Sequence, residues 1–585
     1  MEQANIHAYL VPSSDPHISE YMPEHYKCIQ FASGFTGSAG TLVITKHFAG
    51  LWTDFRYFEQ AGQQLSGSGF ELVKLKVQHT PEFIEWLYEE LPPGSAVAFD
   101  EKLLSAQVGR AIRADLSAKG IQVLPADLLS PLWTDRPPLP EGPAFLLSEE
   151  DSGRSVREKI NDVRKELVKQ KSEYLLLSAL DELAWLFNIR GQDVPYNPVT
   201  LAFGLIGLSS ATLFIQPNKL KQTEVLALRS EGVELQDYDK LENALLHIPP
   251  GHSLFLDPLK NSYRLFRLVE NRLSLREGIS PVSHLRSVKN QTEVRNMKLA
   301  MIKDGVAITR FCKWLQENIG VLPITELSAA DKLRTLRAEQ DGFAGESFAT
   351  IGGYNAHAAL PHYTPAPHTD AELKPEGLFL VDSGGQYHYG TTDITRMIPL
   401  GPVSEEARRD YTLVLMALIE GSSARFPAGT CGYQVDALCR KPLWEAGINY
   451  GHGTGHGVGY YLNVHEGPQN IGPSSAPVPL RTGMITSIEP GIYRPGKHGV
   501  RIENLTLLVH AETTEFADFL TFETLTLAHI DTSLLDPDLL EPKHVKWLND
   551  YHHKVFLALS PVLSATEAEW LREKTAAIRQ LDEKS

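Results

Sequence analysis

At 585 residues the chain is long enough for three or four domains of roughly 100–200 residues each. Hydrophobic residues make up 42% and charged residues 22%, a soluble globular balance, and 55 Lys+Arg against 72 Asp+Glu leave a net charge of −17. That charge argues against nucleic acid or an anionic membrane as a partner. Four cysteines without C-x-x-C spacing exclude a disulfide framework and a thiolate zinc site, and predict a reducing, cytoplasmic setting. The start, MEQANIHAYLVPSSD, predicts no signal peptide. The longest apolar run, TLAFGLIGLSSATLFI, has 16 residues, short of the roughly 20 needed to span a bilayer.

The first segment alternates strands and helices. HAYLVP (7–12), TLVIT (41–45), AGLWTD (49–54) and SAVAFD (95–100) read as strands, and FRYFEQAGQQL (55–65) and PEFIEWLYEEL (81–91) as helices. A segment with five prolines, SPLWTDRPPLPEGP (130–143), reads as a linker. A second α/β segment follows, with helix VREKINDVRKELVKQ (156–170), strand SEYLLLS (172–178) and LDELAWLFNIRG (180–191) leading into further strands. FASGFTGSAGTLVI (31–44) and LFNIRG (186–191) share an aromatic-glycine element before apolar strands, which raises a duplication of related domains beside the simpler reading of common α/β composition.

The third segment opens on a long helix, 288–319, with Val294, Met297, Met301, Ile308, Phe311 and Leu315 near one face. Ser404 is positioned to cap the next helix. After about 515 the character changes to helices 541–560 and 565–580, the latter capped by Ser564. The boundaries read 1–135, 144–285, 286–515 and 516–585.

The chemistry concentrates in 350–505, where eight of the 21 histidines lie between His357 and His498. LFLV runs directly into Asp382, and DITRMIPL begins with Asp393. A hairpin centred at Tyr387-His388 would face these two carboxylates across antiparallel strands. MITSI leads into Glu489, and VRIENLTLLV carries Glu503; a hairpin centred on Gly496 would face that pair too. Buried like charges repel unless a cation lies between them. Between the pairs, NYGHGTGHGVGYYLNVHEGP supplies His452, His456 and His465. Four carboxylates with one imidazole form a hard donor set suited to Mn²⁺, Mg²⁺ or Co²⁺, and rich enough for two ions roughly 3.5–4 Å apart. Singly, each of these residues reads as a turn former or strand end; it is the joint pattern that points to metal chemistry. His357, His368, His388 and His498 read as solvated loop residues, whereas His362 and His465 are candidates for roles beside the metals.

The order HY…DSGxQYxxGTTDxTR…HGTGHGVG…NVHEGP…IEPGIY…RIEN resembles the pita-bread metallopeptidases, in the aminopeptidase P (Xaa-Pro aminopeptidase) branch. The N-terminal segments and the tail are similar to the long, three-domain cytosolic type. The resemblance implies an α/β (α+β) chain of two creatinase-like domains, a pita-bread catalytic domain and a short helical C-terminal extension. It implies two divalent ions, most often Mn²⁺: Asp382 on one, His456 and Glu489 on the other, Asp393 and Glu503 bridging. It implies hydrolysis of the N-terminal Xaa-Pro bond by a hydroxide between the ions, with Glu489 as proton carrier and His362 and His465 beside substrate and intermediate. Arg56, His452 and Arg501 match substrate-side or supporting positions. The implied partners are peptides with proline second, and a second copy in a homodimer, for which Trp547, Leu548, Tyr551 and Phe556 are the apolar surface expected. A prolidase, cleaving only dipeptides, is the nearest alternative; a metal-free peptide-binding module would require lost ligands.

Overall fold

A computed structural model describes residues 1–77, 80–473 and 477–578, and its backbone falls into two units, Met1–Arg286 and Ser287–Ser585. The N-terminal unit carries two six-stranded sheets. The first runs Glu71–Lys74, Ala49–Thr53, Thr41–Thr45, Ala8–Pro12, Ala96–Phe99, Gln122–Pro125. The second runs Glu234–Gln236, Ala211–Ile215, Ala202–Gly207, Tyr174–Leu177, Ser253–Leu256, Ser274–Glu277. Across both, successive pairings are parallel, antiparallel, antiparallel, parallel, parallel. Identical order and sense at every step favour duplication over shared composition.

The two copies meet at equivalent helices, Ala106–Ala118 and Tyr263–Val269, capped by Ser105 and Ser262. These two serines form an antiparallel bridge: Ala106 N donates to Asn261 O at 2.8 Å, and Tyr263 N to Leu104 O at 2.7 Å. One apolar core continues across the contact, from Val97, Phe99 and Ile112 to Leu254, Tyr263 and Phe266. LDELAWL forms a helix, Leu180–Leu186, before the strands. It is buried on all sides, because Asp181 pairs with Arg286 at 2.8 Å and Glu182 accepts from Ser280 and Ser283.

In the C-terminal unit the long helix spans Gln291–Asn318, capped reciprocally by Asn290 and Glu293. Met297, Met301, Ile308, Phe311 and Leu315 are buried as the periodicity predicts. Ser404 caps Glu405–Ser422, and Ser564 caps Ala565–Lys574; positions 579 and 580 of the predicted last helix lie outside the described residues. Three strands, Ile351–Tyr354, Leu378–Ser383 and Ile394–Pro399, form one sheet. A six-stranded sheet runs Arg425–Pro427, Asp518–Thr524, Asn504–Thr513, Ile485–Ile488, Gly455–Gly457, Glu466–Ile471, and Gly491–Arg494 pairs with His498–Arg501. No helix among the described residues is long and apolar enough to cross a membrane.

The helical extension presents only part of the apolar surface expected of it, with Trp547 and Phe556 half-buried. Leu548 and Tyr551 are buried within their own unit, and Trp547 stacks on Tyr551. Tyr551 instead locks the extension to the strands beneath. Buried Arg396 donates to the Thr395 and Glu503 carbonyls, to Asn504 Oδ1, to the carbonyls of Ala528 and His529, and to Tyr551 Oη at 2.8 Å. Ile530 N donates to His552 Nε2 at 3.1 Å. Burial, reinforced by Arg396, pushes the His552 imidazole down to about 4, and burial also holds His529 well below the usual range.

His552 is therefore neutral in the fold, whereas in an unfolded chain it charges below roughly 6.5. Between that value and about 4 the unfolded chain binds more protons, so stability falls as pH drops through the window. The full shift corresponds to about 3 kcal/mol. Melting temperatures measured from pH 7 to 4 are expected to fall more steeply for the natural chain than for His552→Gln. Parallel profiles would remove His552 as a source of acid sensitivity.

Candidate metal centre

The two predicted carboxylate hairpins form differently. Leu378–Ser383 and Ile394–Pro399 pair with Asp382 opposite Thr395, two residues out of the expected register. The chain between them makes its own small strands, Gly385–Tyr387 and Gly390–Thr391, against Phe343–Glu346. A shift of two keeps the alternation, so Asp382 and Asp393 still belong to one face, as diagonal rather than direct neighbours. In the second hairpin the expected register holds. Ile488 pairs with Asn504 on one side and Gly491 with Arg501 on the other, which leaves Glu489 opposite Glu503 at the break between two ladders.

The glycine-histidine segment enters from the side. Gly455–Gly457 pairs with Glu466–Ile471 and with Ile485–Ile488. A Cβ on Gly455 would stand 1.9 Å from Ser487 O, so only glycine lets the segment lie flush on the strand leading to Glu489. The strand expected over YYLNVHE is absent: residues 458–465 form a loop whose ends close through the Gly457–Glu466 pair. That reversal brings the His456 and His465 rings edge to face, 4.3 Å between centroids.

Asp393, His456 and Glu503 offer donor atoms that all lie within 4.8 Å of one another. His456 Nε2 is 3.4 Å from Asp393 Oδ2 and 3.5 Å from Glu489 Oε1. Its Nδ1 lies 2.9 Å from the Gly457 carbonyl, an acceptor only, so Nδ1 carries the proton and Nε2 faces the carboxylates. Burial would lower the His456 pKa, but Asp393 and Glu489 overcome it and raise it to about 9. Burial raises Asp382, lifts Glu489 to about 7 and pushes Glu503 far above the usual carboxylate range, with mutual repulsion adding to each. Asp382 Oδ1 and Glu503 Oε1 are buried without a hydrogen-bond partner. Crowded acids with orphaned oxygens beside an imidazole whose Nε2 is turned toward them fit divalent cations, which would satisfy those oxygens, take the place of the Nε2 proton and cancel the repulsion.

The oxygens facing away are held by a network only partly foreseen. Arg501 is buried and donates to Asp382 Oδ2 through Nη2 at 2.5 Å and Nε at 3.2 Å. It also donates to Tyr493 Oη at 2.7 Å, which in turn donates to His452 Nε2 at 2.8 Å, since His452 Nδ1 is turned to the Gly453 carbonyl. Arg501 and His452 thus form a chain ending on a carboxylate, and Tyr493 is the link sequence reasoning missed. Thr395, opposite Asp382, donates to Glu503 Oε2 at 2.9 Å; its place two residues after Asp393 on an alternating strand was a legible signal. Buried Asp410 accepts from Arg494 at 2.5 Å and from His498 at 2.8 Å, fastening the second hairpin. His498 is therefore a buried anchor and not a solvated loop residue. His357 is likewise paired, to Glu326 at 2.8 Å, while His368 and His388 are exposed as expected. His362 and His465 are half-buried. Arg56 belongs to the N-terminal unit, where Nε and Nη2 donate to Asp54 at 2.7 Å each.

The model described as metallopeptidase family M24 matches residues 295–511, and the C-terminal region of peptidase M24 matches 518–578. Two models of the creatinase/prolidase N-terminal domain match 1–129 and 135–293. The chain belongs to metallopeptidase family M24, in its Xaa-Pro aminopeptidase group. It is 39% identical over 574 residues to "Probable Xaa-Pro aminopeptidase P" of Botryotinia fuckeliana, covering 95% of this chain and 88% of the relative. It is 36% identical to human "Xaa-Pro aminopeptidase 2", covering 98% and 87%. Among solved structures, X-prolyl aminopeptidase of Caenorhabditis elegans, described as a cytosolic enzyme with a di-nuclear active site, superposes with a TM-score of 0.93 at 36% identity, covering 98% of this chain and 95% of that one. Xaa-Pro dipeptidase of Bacillus anthracis, at 24% identity and TM-score 0.51, shares the fold over 64% of this chain and 99% of its own.

Proposed function

We propose that this chain is a metal-dependent aminopeptidase that removes the first residue from peptides with proline second. The observation that carries the reading is the cluster of buried Asp393 and Glu503 with half-buried His456, and Asp382 and Glu489 on the adjoining strand ends. In this reading Asp382, Asp393, His456, Glu489 and Glu503 hold two divalent cations, manganese best matching so oxygen-rich a donor set. When bound, the cations acidify water toward neutral pH and stabilise negative charge on the carbonyl oxygen. Glu489 takes a proton from the attacking water and delivers it to the prolyl nitrogen as the carbon–nitrogen bond breaks, releasing a free amino acid and a peptide that begins with proline. His362 and His465 donate to the developing oxyanion. Arg501 and His452, tied through Tyr493, keep Asp382 charged and oriented. The Xaa-Pro amide has no N–H, so peptidases that recognise that donor fail on it. The acidic centre suits the substrate's free ammonium.

We further infer four domains, 1–135, 144–285, 286–515 and 516–585, a cytoplasmic setting consistent with four free, buried cysteines, and a homodimer. The helix Gly432–Glu445 supports the last: Tyr433, Leu438 and Trp444 are 44%, 43% and 52% exposed along its outer face.

Four measurements test this reading. Hydrolysis of Xaa-Pro-Yaa peptides is expected to vanish with a chelator and return with Mn²⁺, and Asp393→Asn is expected to lose metal and nearly all turnover while remaining folded. Cleavage restricted to Xaa-Pro dipeptides would assign a prolidase, and full metal content with normal turnover in the variant would remove the dinuclear assignment. His465→Ala is expected to keep both ions and lose roughly 10²–10³-fold in kcat/KM, the scale of one oxyanion donor. Loss of an ion would make it a ligand, and unchanged kinetics a structural residue. Light scattering at micromolar concentration is expected to give twice the 65.0 kDa chain mass, and the monomer mass for Trp444→Glu. A natural chain that scatters as a monomer would exclude the dimer.

A further inference from the structure

Glu326 is a fully buried carboxylate that takes no part in the metal cluster. It is the first residue of the helix Glu326–Ala338. Its Oε1 accepts from Tyr354 N at 2.7 Å and from His357 Nδ1 at 2.8 Å. Its Oε2 accepts from Tyr363 Oη at 2.8 Å and from Ala371 N at 3.2 Å. All four donors come from one segment, 354–371, and His362 lies inside it next to Tyr363. The helix holds the same segment twice more: Glu326 N donates to Ala371 O at 3.0 Å, and Leu327 N to Asp370 Oδ1 at 3.0 Å.

The opposite side of the segment rests on the metal-side hairpin. Pro361 O accepts from Arg501 Nη2 at 3.3 Å, and Arg501 grips Asp382. A Cβ on Gly499 would stand 1.7 Å from Ala358 O, so the two backbones touch with no side chain between them. The segment is thus clamped between a buried acid and the metal-side strands. A buried charge is retained at a cost in desolvation, which four converging donors offset. An apolar residue would fill the space without that cost, but would not fix the segment's direction. His357, raised by its hydrogen bond to Glu326, adds a charge-assisted donor.

We propose that Glu326 is the positioning residue for His362: by gathering the 354–371 segment onto the helix start, it sets the His362 imidazole at the substrate carbonyl. The inference rests on the reading of His362 as a donor to that carbonyl. It acts through geometry, so its loss should appear mainly in kcat.

The test is a double-mutant cycle on the full-length, Mn²⁺-loaded protein with an Xaa-Pro-Yaa tripeptide, using Glu326→Gln, His362→Ala and the double variant, with metal content and melting temperature measured on the same preparations. Glu326→Gln is expected to lose roughly 10–100-fold in kcat/KM, mostly in kcat, with both ions retained. In the His362→Ala background the same change is expected to cost almost nothing, because the residue it positions is gone. Multiplicative losses, or an unaffected Glu326→Gln, would overturn the proposal. If Glu326→Gln does not fold, Tyr363→Phe removes one donor and keeps the carboxylate; it must show a smaller loss of kcat that likewise disappears without His362, and full activity would overturn the proposal. If His362→Ala alone leaves the kinetics unchanged, the role of His362 fails, and the proposal fails with it; the metal-dependent activity of the natural chain reports separately on the peptidase reading.

Discussion

Four carboxylates placed at the ends of apolar strands govern the C-terminal unit. Burial raises Asp382, Glu489 and Glu503, and each is raised further by its neighbours. A fold that tolerates this needs compensation from both sides. On the inner side, Asp393, His456 and Glu503 bring donor atoms within 4.8 Å of one another, and Asp382 and Glu503 each keep an orphaned oxygen that a divalent cation would satisfy. On the outer side, Arg501 and Thr395 occupy the oxygens turned away, and Arg396 ties the Glu503 carbonyl to the C-terminal extension. The extension therefore serves the site through the backbone of a strand that carries a carboxylate.

The same logic continues one layer out. Asp410 fastens the second hairpin through Arg494 and His498, and Glu326 fastens the segment bearing His362. Buried Lys289 pairs with buried Glu466, directly after His465, and holds the end of the glycine-histidine loop. Each loop that brings an imidazole toward the centre ends on a buried ion pair or a buried acid with several donors. Such pairs add little net stability, but breaking one leaves an uncompensated charge, so they specify one loop conformation strongly.

The N-terminal unit solves a different problem. Its two sheets repeat one topology and join through a reciprocal backbone bridge between equivalent capping serines. The shared core lets two modest sheets bury apolar surface as one body. The sequence echo between the copies is faint because topology depends on the pattern of apolar alternation, which many different residues satisfy.

Much of this was legible in the residues alone. Strand pattern running into Asp382, Asp393, Glu489 and Glu503, with the glycine-histidine segment between, was enough to expect a metal centre, because carboxylates in apolar strands require a cation. Alternation determined the second hairpin's register through a short turn. It misjudged the first by two residues, because the intervening chain forms its own strands against Phe343–Glu346, a partner far away in sequence. His357 and His498 sit in glycine- and proline-rich stretches that read as solvent-exposed, and only their acids, Glu326 and Asp410, bury them. Tyr551 looked like free surface until Arg396 claimed it. Local pattern determines which residues bear the chemistry, since strand ends and caps are set by near neighbours. The partners that orient them come from distant segments, and only tertiary packing decides which acid meets which donor.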